Sequence, residues 1–224
     1  MTCEYIFRVV VVGDAGVGKT SLCQRLCHNQ CPPNYESTIG VEFYSHVMPL
    51  RSEGQQQKID ATVKLQLWDT AGMDGFRTII KSYYRSATLV FLVYDCTYRP
   101  SFNHLVNWLQ DVRSTCDPRV IVTVVANKTD LHLQSQVTHE EGMGWAQAHD
   151  LLFAETSSKV GLGVDSCFYQ AVRQMYQQIK VREVNPDHKL GIKDLHGPPA
   201  PEVDLEAPTP LPGAFRLCHD CVML

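Results

Sequence analysis

Two kinds of segment alternate along the chain. Short apolar runs rich in β-branched residues lie at Phe7–Val12, Val63–Trp68, Leu89–Tyr94 and Val120–Ala126. Runs of this kind are typical of strands buried on both faces of a parallel sheet. Helical spacing of apolar residues occupies the segments Ser101–Cys116, Thr138–His149 and Val164–Lys180. The alternation predicts a doubly wound α/β fold, whose ligand-binding loops follow the carboxyl ends of the strands.

Local signals mark one helix start and one loop. Thr138 and Glu141 have the spacing of a capping box, which predicts that a helix begins after Thr138. The stretch Arg51–Asp60 is polar and contains Gly54 and three glutamines. We therefore expect a long hairpin loop between two strands at this point.

The composition changes near residue 181. Seven of the twelve prolines lie in residues 181–224, and this segment has no hydrophobic periodicity. A segment that buries little apolar surface cannot offset the entropy lost on ordering. We therefore expect a folded domain over residues 1–182 and a disordered, proline-rich tail over residues 183–224.

Charge, cysteine content and hydrophobicity limit the classes of protein to which the chain can belong. The net charge of −4 gives no reason to expect nucleic-acid binding. Nine cysteines are scattered from Cys3 to Cys221, which favours reduced thiols in an intracellular protein over a disulfide framework. No apolar stretch reaches the ~18 residues of a membrane-spanning helix. Any membrane attachment is therefore expected to come from a lipid or a partner.

The candidate chemistry begins at Gly13–Thr20, which matches the phosphate-loop pattern G-x-x-x-x-G-K-[ST] between an apolar strand and a helical segment. In such a loop, backbone N–H groups surround the phosphates, a lysine neutralises the β- and γ-phosphates, and a Ser/Thr hydroxyl binds Mg²⁺. Lys19 and Thr20 have these two roles. The predicted nucleotide-binding residues of this segment are Gly13, Ala15, Gly16, Val17, Gly18, Lys19, Thr20 and Ser21. The loop alone does not distinguish ATP from GTP.

The sequence Asn127-Lys128-Thr129-Asp130 directly follows an apolar run and resembles the guanine-recognition motif N-K-x-D of the Ras superfamily of small GTPases. A carboxylate at Asp130 can accept hydrogen bonds from the ring N1–H and the exocyclic amine of guanine, whereas adenine lacks this donor pair. The resemblance implies that Lys128 lies across the base and that Asn127 joins neighbouring loops. An ATP-dependent P-loop enzyme is therefore disfavoured.

A third loop, Glu155–Lys159, reads E-T-S-S-K and resembles the family's base-binding sequence E-T-S-A-K. Ser158 stands where the family has alanine. Because the family's contact with guanine comes there from the main-chain N–H, serine is expected to serve equally. The resemblance makes Ser157, Ser158 and Lys159 expected nucleotide contacts.

Two further segments resemble the family's nucleotide switches. Thr38 lies nineteen residues after Lys19 and is expected to bind Mg²⁺ in the GTP state. In the second segment, Asp69 is expected to hold Mg²⁺ through water, and the N–H of Gly72 is expected to sense the γ-phosphate. Loss of that phosphate would release both segments. The expected metal-binding residues are thus Thr20, Thr38 and Asp69, while Thr38 and Gly72 also belong to the expected catalytic set.

Three stretches look like those of the Rab branch: Ile39–Phe43, Lys64–Gly72 and Tyr83–Ala87. The 24 residues between Asp130 and Glu155 leave no room for the extra helix of the Rho branch. The resemblance implies a small G-domain of the P-loop NTPase class, with a mostly parallel six-stranded sheet and helices on both faces. It also implies binding of Mg²⁺ and GTP or GDP, and GTP hydrolysis. The implied partners are exchange factors, GTPase-activating proteins, effectors that bind the switches, and prenyl-carrier or dissociation-inhibitor proteins.

The chain departs from the family at two site positions. Met73 stands where the family has the catalytic glutamine that orients the attacking water. A thioether donates no hydrogen bond and accepts only weakly, so slow intrinsic hydrolysis is expected unless an activating protein supplies a glutamine. The alternative is a GTP-bound scaffold with negligible hydrolysis. Cys31 replaces the aromatic residue that packs on guanine, which predicts weaker binding or faster nucleotide exchange.

The chain ends in a lipidation signal. Residues 221–224 read C-V-M-L and fit C-a-a-X, and the final leucine predicts geranylgeranylation of Cys221. One lipid gives only marginal anchoring and residues 196–224 are not polybasic, so Cys218 is expected to carry a second lipid. The alternative for this pair is a zinc-binding C-x-x-C. The expected location is the cytoplasmic face of an intracellular membrane, with cycling to the cytosol.

Overall fold

The computed structural model describes residues 4–31, 37–52, 55–72, 77–181 and 192–194. The strands are β1 (Tyr5–Val12), β2 (Val41–Ser52), β3 (Gln55–Thr70), β4 (Leu89–Asp95), β5 (Ile121–Asn127), β6 (Leu152–Glu155) and β7 (Ile192–Asp194). The helices are α1 (Lys19–His28), α2 (Arg77–Tyr84), α3 (Arg99–Asn103), α4 (Leu105–Thr115), α5 (His139–Ala148) and α6 (Val164–Lys180), with a 3-10 helix at Thr129–Gln134.

The strands form one sheet in the order β2-β3-β1-β4-β5-β6. All neighbours from β3 to β6 pair in parallel, and β2 pairs antiparallel with β3. Strands β4 and β5 are buried along their whole length, as near-continuous apolar runs require. The predicted α/β class with a mostly parallel sheet is therefore confirmed.

Alternate residues of β1 enter two separate cores. Val9 belongs to a buried cluster with residues of α1 and α6, whereas Val10 belongs to a cluster with residues of α2, α4 and α5. Because successive side chains of a strand point to opposite faces, this division shows that helices cover both sides of the sheet. No helix within the described ranges is long and apolar enough to cross a membrane.

The predicted helix boundaries hold in part. Thr138 caps α5, its hydroxyl accepting a hydrogen bond from the amide of Glu141 at 3.2 Å, which confirms the predicted start. The helix predicted over Ser101–Cys116 is instead divided at His104 into α3 and α4. It also starts earlier, because Pro100 lies in the first turn, where a missing N–H costs nothing.

The prediction of a long hairpin loop at residues 51–60 is wrong. β2 continues to Ser52 and β3 begins at Gln55. Contacts with α6 hold this extension: Arg173 Nη1 donates to the main-chain oxygen of Arg51 at 2.7 Å, and Lys180 Nζ pairs with Asp60 Oδ2 at 3.1 Å. Backbone pairing and docking on a helix outweigh the loop-like composition of this stretch.

A seventh strand adds to the six that the family resemblance implies. β7 (Ile192–Asp194) pairs antiparallel with the first half of β1, and Ile192 is buried. These three residues lie within the segment predicted to be a disordered tail, so that prediction does not hold for them. The rest of residues 183–224 lies outside the described residues.

Candidate functional site

The loops predicted to carry chemistry follow four strands of the parallel part of the sheet. The phosphate loop follows β1, the second switch follows β3, and the two base loops follow β5 and β6. The carboxyl ends of parallel strands meet at one edge, so the loops that follow them lie together. Position in the sheet thus brings together residues that are far apart in the chain.

The phosphate loop surrounds a buried ammonium group. Lys19 is 5% exposed, and its Nζ donates to the main-chain oxygens of Gly13 at 2.9 Å and Asp14 at 2.7 Å. Burial lowers the pKa of Lys19 to about 8, and nearby carboxylates, Asp69 first among them, oppose this shift. A buried cation whose hydrogen-bond partners are neutral carbonyls strongly favours an anionic ligand. The geometry therefore fits a phosphate group.

The start of α1 also favours an anionic ligand. Gly18 caps the helix with φ 96°, and no side chain occupies the cap. A Cβ on Gly18 would lie 2.4 Å from Asn127 Nδ2, so only glycine fits this approach. Helix N–H groups left without a side-chain cap favour an anion. The cavity in front of them is lined by Ala15, Gly16, Gly18, Lys19, Thr20, Ser21, Ser37, Thr38 and Gly72.

Three oxygen-bearing side chains converge beside this cavity. The hydroxyl of Thr20 donates to Asp69 Oδ2 at 2.5 Å and lies 2.9 Å from the hydroxyl of Thr38. Asp69 Oδ1 is buried without a hydrogen-bond partner among the described residues. Burial raises the pKa of Asp69 to about 7, while the hydrogen bond from Thr20 and the charge of Lys19 act against this shift. Oxygen ligands and a buried carboxyl oxygen without a hydrogen-bond partner fit Mg²⁺.

Gly72 lies directly against the phosphate loop. A Cβ at this position would lie 2.2 Å from the main-chain N of Ala15 and 2.3 Å from the carbonyl carbon of Asp14. No other residue type could approach so closely without displacing the loop. The second switch segment is thus in contact with the loop expected to hold the phosphates.

Asn127 joins the phosphate loop to the loop Glu155–Lys159, which we call the third base loop because it is the third nucleotide loop along the chain. Its Nδ2 donates to the main-chain oxygen of Val17 at 2.9 Å. Its Oδ1 accepts from the hydroxyl of Thr156 at 3.2 Å and from the main-chain N–H of Ser158 at 3.2 Å. The hydroxyl of Ser158 donates to the same oxygen at 2.9 Å. The serine that replaces the family's alanine therefore adds a hydrogen bond that alanine could not make.

The other two residues of the guanine-recognition motif are also held in place. Asp130 Oδ1 accepts from the hydroxyl of the buried Ser157 at 2.6 Å, which orients the carboxylate. Lys128 has a left-handed backbone with φ 66°, and its Nζ pairs with Asp95 Oδ2 at 2.6 Å. Asp95 ends β4, and a carboxylate at the end of a central strand is a signal that could have been recognised from the sequence.

Two sets of contacts could not be foreseen. Arg25 of α1 donates to the main-chain oxygens of Ser158 at 2.8 Å and Lys159 at 2.6 Å. In the phosphate loop, Asp14 Oδ1 accepts from Trp108 Nε1 at 2.9 Å, and Asp14 Oδ2 lies 2.6 Å from His104 Nδ1. These contacts join elements that are distant in the chain, so no local sequence motif predicts them.

The predicted roles of four residues are not tested by contacts in the structure. Cys31 is partly exposed, three residues beyond the end of α1. Met73, Cys218 and Cys221 lie outside the described residues. Their predicted roles in hydrolysis and lipidation remain predictions.

Comparison with known protein families gives a match that covers most of the chain. The model described as the Ras family matches residues 8–177 of this chain. The matched range includes the phosphate loop, both switch segments, the guanine-recognition motif and the third base loop, and it ends within α6.

Proposed function

The match over residues 8–177 shows that this chain belongs to the Ras family, and from this premise we propose that it acts as a Rab-like switch in intracellular membrane traffic. Members of the family are small GTPases that bind GTP and GDP, typically with Mg²⁺, and interact with exchange factors, activating proteins and effectors. The observation that carries the nucleotide-binding part of the proposal is the hydrogen-bond network of Asn127, which joins the phosphate loop to the third base loop.

The Rab assignment is supported by a cluster of three aromatic rings. Each of the three Rab-like stretches of the sequence contributes one ring. The ring centroids of Phe43 and Trp68 are 4.9 Å apart, and those of Trp68 and Tyr83 are 5.0 Å apart. All three rings are partly exposed, which is typical of a surface that binds a protein partner. We propose that effectors contact this aromatic cluster together with the exposed Ile39 of the first switch.

In the proposed mechanism each residue binds or orients the nucleotide. Lys19 and the N–H groups at the start of α1 neutralise the phosphates. Thr20, Thr38 and Asp69 would hold Mg²⁺, which would neutralise negative charge on the phosphates. Asp130, oriented by Ser157, accepts hydrogen bonds from guanine. Contact with the γ-phosphate holds the first and second switches, and its removal releases them.

We propose that intrinsic hydrolysis is slow because Met73 replaces the residue that orients the attacking water. The test is single-turnover hydrolysis of bound GTP by the full chain, by Met73→Gln and by Met73→Ala as the matched control. We expect a clear increase for Met73→Gln alone. Equal rates for the wild type and Met73→Gln would contradict the proposal.

A GTP-bound scaffold is the second candidate, and Met73 is the observation that favours it. The same assay with a Rab-type activating protein separates the two candidates. A hydrolysing switch is accelerated when that protein supplies a glutamine and an arginine, whereas a scaffold retains GTP. Persistent GTP in both arms would favour the scaffold.

We propose that a geranylgeranyl group on Cys221 and a second lipid on Cys218 attach the protein to the cytoplasmic face of an intracellular membrane. Prenyl-carrier or dissociation-inhibitor proteins would return it to the cytosol. The sequence C-V-M-L at the end of the chain supports this. The test is membrane fractionation of the full chain, Cys221→Ser and Cys218→Ser. Membrane association of Cys221→Ser equal to that of the wild type would refute the proposal.

A further inference from the structure

The first half of β1 has an edge that β4 does not reach. β4 pairs with β1 only from Val9 to Val12. At Arg8, the main-chain oxygen still accepts from the amide of Thr88 at 2.8 Å. Before Arg8, β1 continues for three residues, Tyr5–Phe7, which we call the β1 half-edge. Without another strand, its backbone groups on this side would have no sheet partner.

Strand β7 occupies this half-edge. The register is antiparallel, with Phe7 opposite Ile192, Ile6 opposite Lys193 and Tyr5 opposite Asp194. It therefore lies beside the same three residues that β4 leaves uncovered, and it faces the backbone groups of the middle one, Ile6. The tail segment matches the length of the gap in the sheet.

The first two side chains of β7 alternate between buried and exposed. Ile192 is 2% exposed and belongs to the buried cluster that contains Phe7 and residues of α1 and α6. Lys193, the next residue, is exposed. One residue pointing into the core and the next pointing to solvent is the pattern of a half-buried strand. Ile192 thus adds an apolar side chain to the core at the end of the sheet remote from the phosphate loop.

The path of the chain is compatible with this pairing. Tyr176, in the last turns of α6, stacks edge-on against Tyr5 with ring centroids 5.9 Å apart. α6 therefore ends near the start of β1. Eleven residues separate Lys180 from Ile192, and at most about 3.5 Å per residue they can span the return to the half-edge.

We propose that the β1 half-edge is a docking site for the segment Ile192–Asp194 of the chain's own tail, and that docking shortens the connection between the domain and the lipid-bearing cysteines. Cys221 lies 40 residues after Val181 but 27 residues after Asp194. The greatest possible reach to Cys221 falls from about 140 Å to about 95 Å. Docking itself is independent of the proposed lipidation, while its effect on reach rests on that proposal.

Hydrogen exchange of the full-length, GDP-loaded chain tests the docking. The backbone groups of Arg8 face the side of β4, so those of Ile6, two residues earlier, face β7, and Ile6 is paired with Lys193. The amides of Ile6 and Lys193 are therefore expected to be protected together. The variant Ile192→Asn places a polar amide in the core and is expected to raise exchange at both amides by about tenfold or more. Lys193→Asn introduces the same residue one position later, at an exposed site, and is the matched control. It is expected to leave exchange within about twofold of the wild type.

Ile192→Ala is the second variant, in case asparagine disturbs folding, and is expected to raise exchange at the same two amides. Retention of bound GDP by each variant shows that the nucleotide site is intact, so failure of docking and failure of the proposed function are distinguishable. Coil-like exchange of the Lys193 amide in the wild type would overturn the proposal. Protection of the Ile6 amide that persists in both Ile192 variants would also overturn it, because another segment would then cover the half-edge.

Discussion

Arg25 Nε donates a hydrogen bond to the main-chain oxygen of Ser158, a residue 133 positions later in the chain, at 2.8 Å. The same guanidinium donates from Nη1 to the main-chain oxygen of Asn29 at 2.8 Å and from Nη2 to that of Lys159 at 2.6 Å. One planar group therefore joins the end of α1 to the third base loop. Its fork of N–H donors makes this arrangement possible, and a lysine could not reproduce it.

The first prediction concerns this contact. Arg25→Ala should accelerate dissociation of GDP by about tenfold, because the base loop loses two charge-assisted hydrogen bonds that hold its backbone. The measurement is the release of a fluorescent GDP analogue after addition of excess GDP. Arg25→Lys separates charge from geometry, and we expect it to release GDP nearly as fast as alanine. A dissociation rate for Arg25→Ala equal to that of the wild type would contradict this role.

The second prediction concerns the hydroxyl of Ser158, which the family's alanine lacks. Ser158→Ala should lower the free energy of unfolding by about 1 kcal/mol, the usual net value of a hydrogen bond. In an Asn127→Ala background the acceptor Oδ1 is absent, so the same substitution should cost little. Urea unfolding of the four proteins of this double-mutant cycle, at constant GDP and Mg²⁺, measures the coupling. A coupling energy near zero would show that the 2.9 Å contact contributes nothing.

These contacts show why only part of the site could be predicted from the sequence. Lys19 and Asp130 belong to contiguous motifs whose spacing follows from local backbone geometry, and the motifs lie directly after predicted strands. The contact of Asp14 with Trp108 joins residues 94 positions apart and exists because β1 and β4 are neighbours. Strand order is a property of the whole fold, so such pairs have no local signature.

The tail shows that part of the fold, like part of the site, could not be predicted from local sequence. Its composition predicted disorder from residue 183, since little apolar surface was available for burial. Ile192 is nevertheless buried, because the β1 half-edge lacks a partner from β4 and a short apolar segment completes it. Whether a short segment forms a strand depends on an uncovered strand edge elsewhere in the sheet. The composition of the segment itself cannot show that such an edge exists.

The third prediction concerns Cys31, at the position where the family has an aromatic residue. Cys31→Phe should slow GDP dissociation by about threefold to tenfold, because a ring covers more of a planar base than a thiol does. Cys31→Ala, which removes the thiol without adding a ring, is the control and should not slow release. The dissociation assay used for Arg25 serves here. Release from Cys31→Phe as fast as from the wild type would place the residue away from the base.

The fourth prediction concerns stability at alkaline pH. Cys167 of α6 is 2% exposed, and burial raises the pKa of its thiol to about 12. A thiol in the unfolded chain has a pKa of about 8.5. The folded state therefore holds this proton more tightly than the unfolded state. The contribution to stability is fully present below about pH 8.5 and is lost as pH rises toward 12, amounting to about 2 kcal/mol of lost stability by pH 10.

The measurement is urea unfolding between pH 7 and pH 10 with GDP and Mg²⁺ held constant. Other buried thiols and phenols also have raised pKa values, so the decisive quantity is the difference between variants. Cys167→Ala should lower stability at pH 7 through lost packing but lose less than the wild type as pH rises. Val172→Ala truncates a buried residue of the same helix that does not titrate, and its stability should fall in parallel with the wild type. If Cys167→Ala also runs parallel to the wild type, the thiol is not held neutral by burial, and another group causes the alkaline loss of stability.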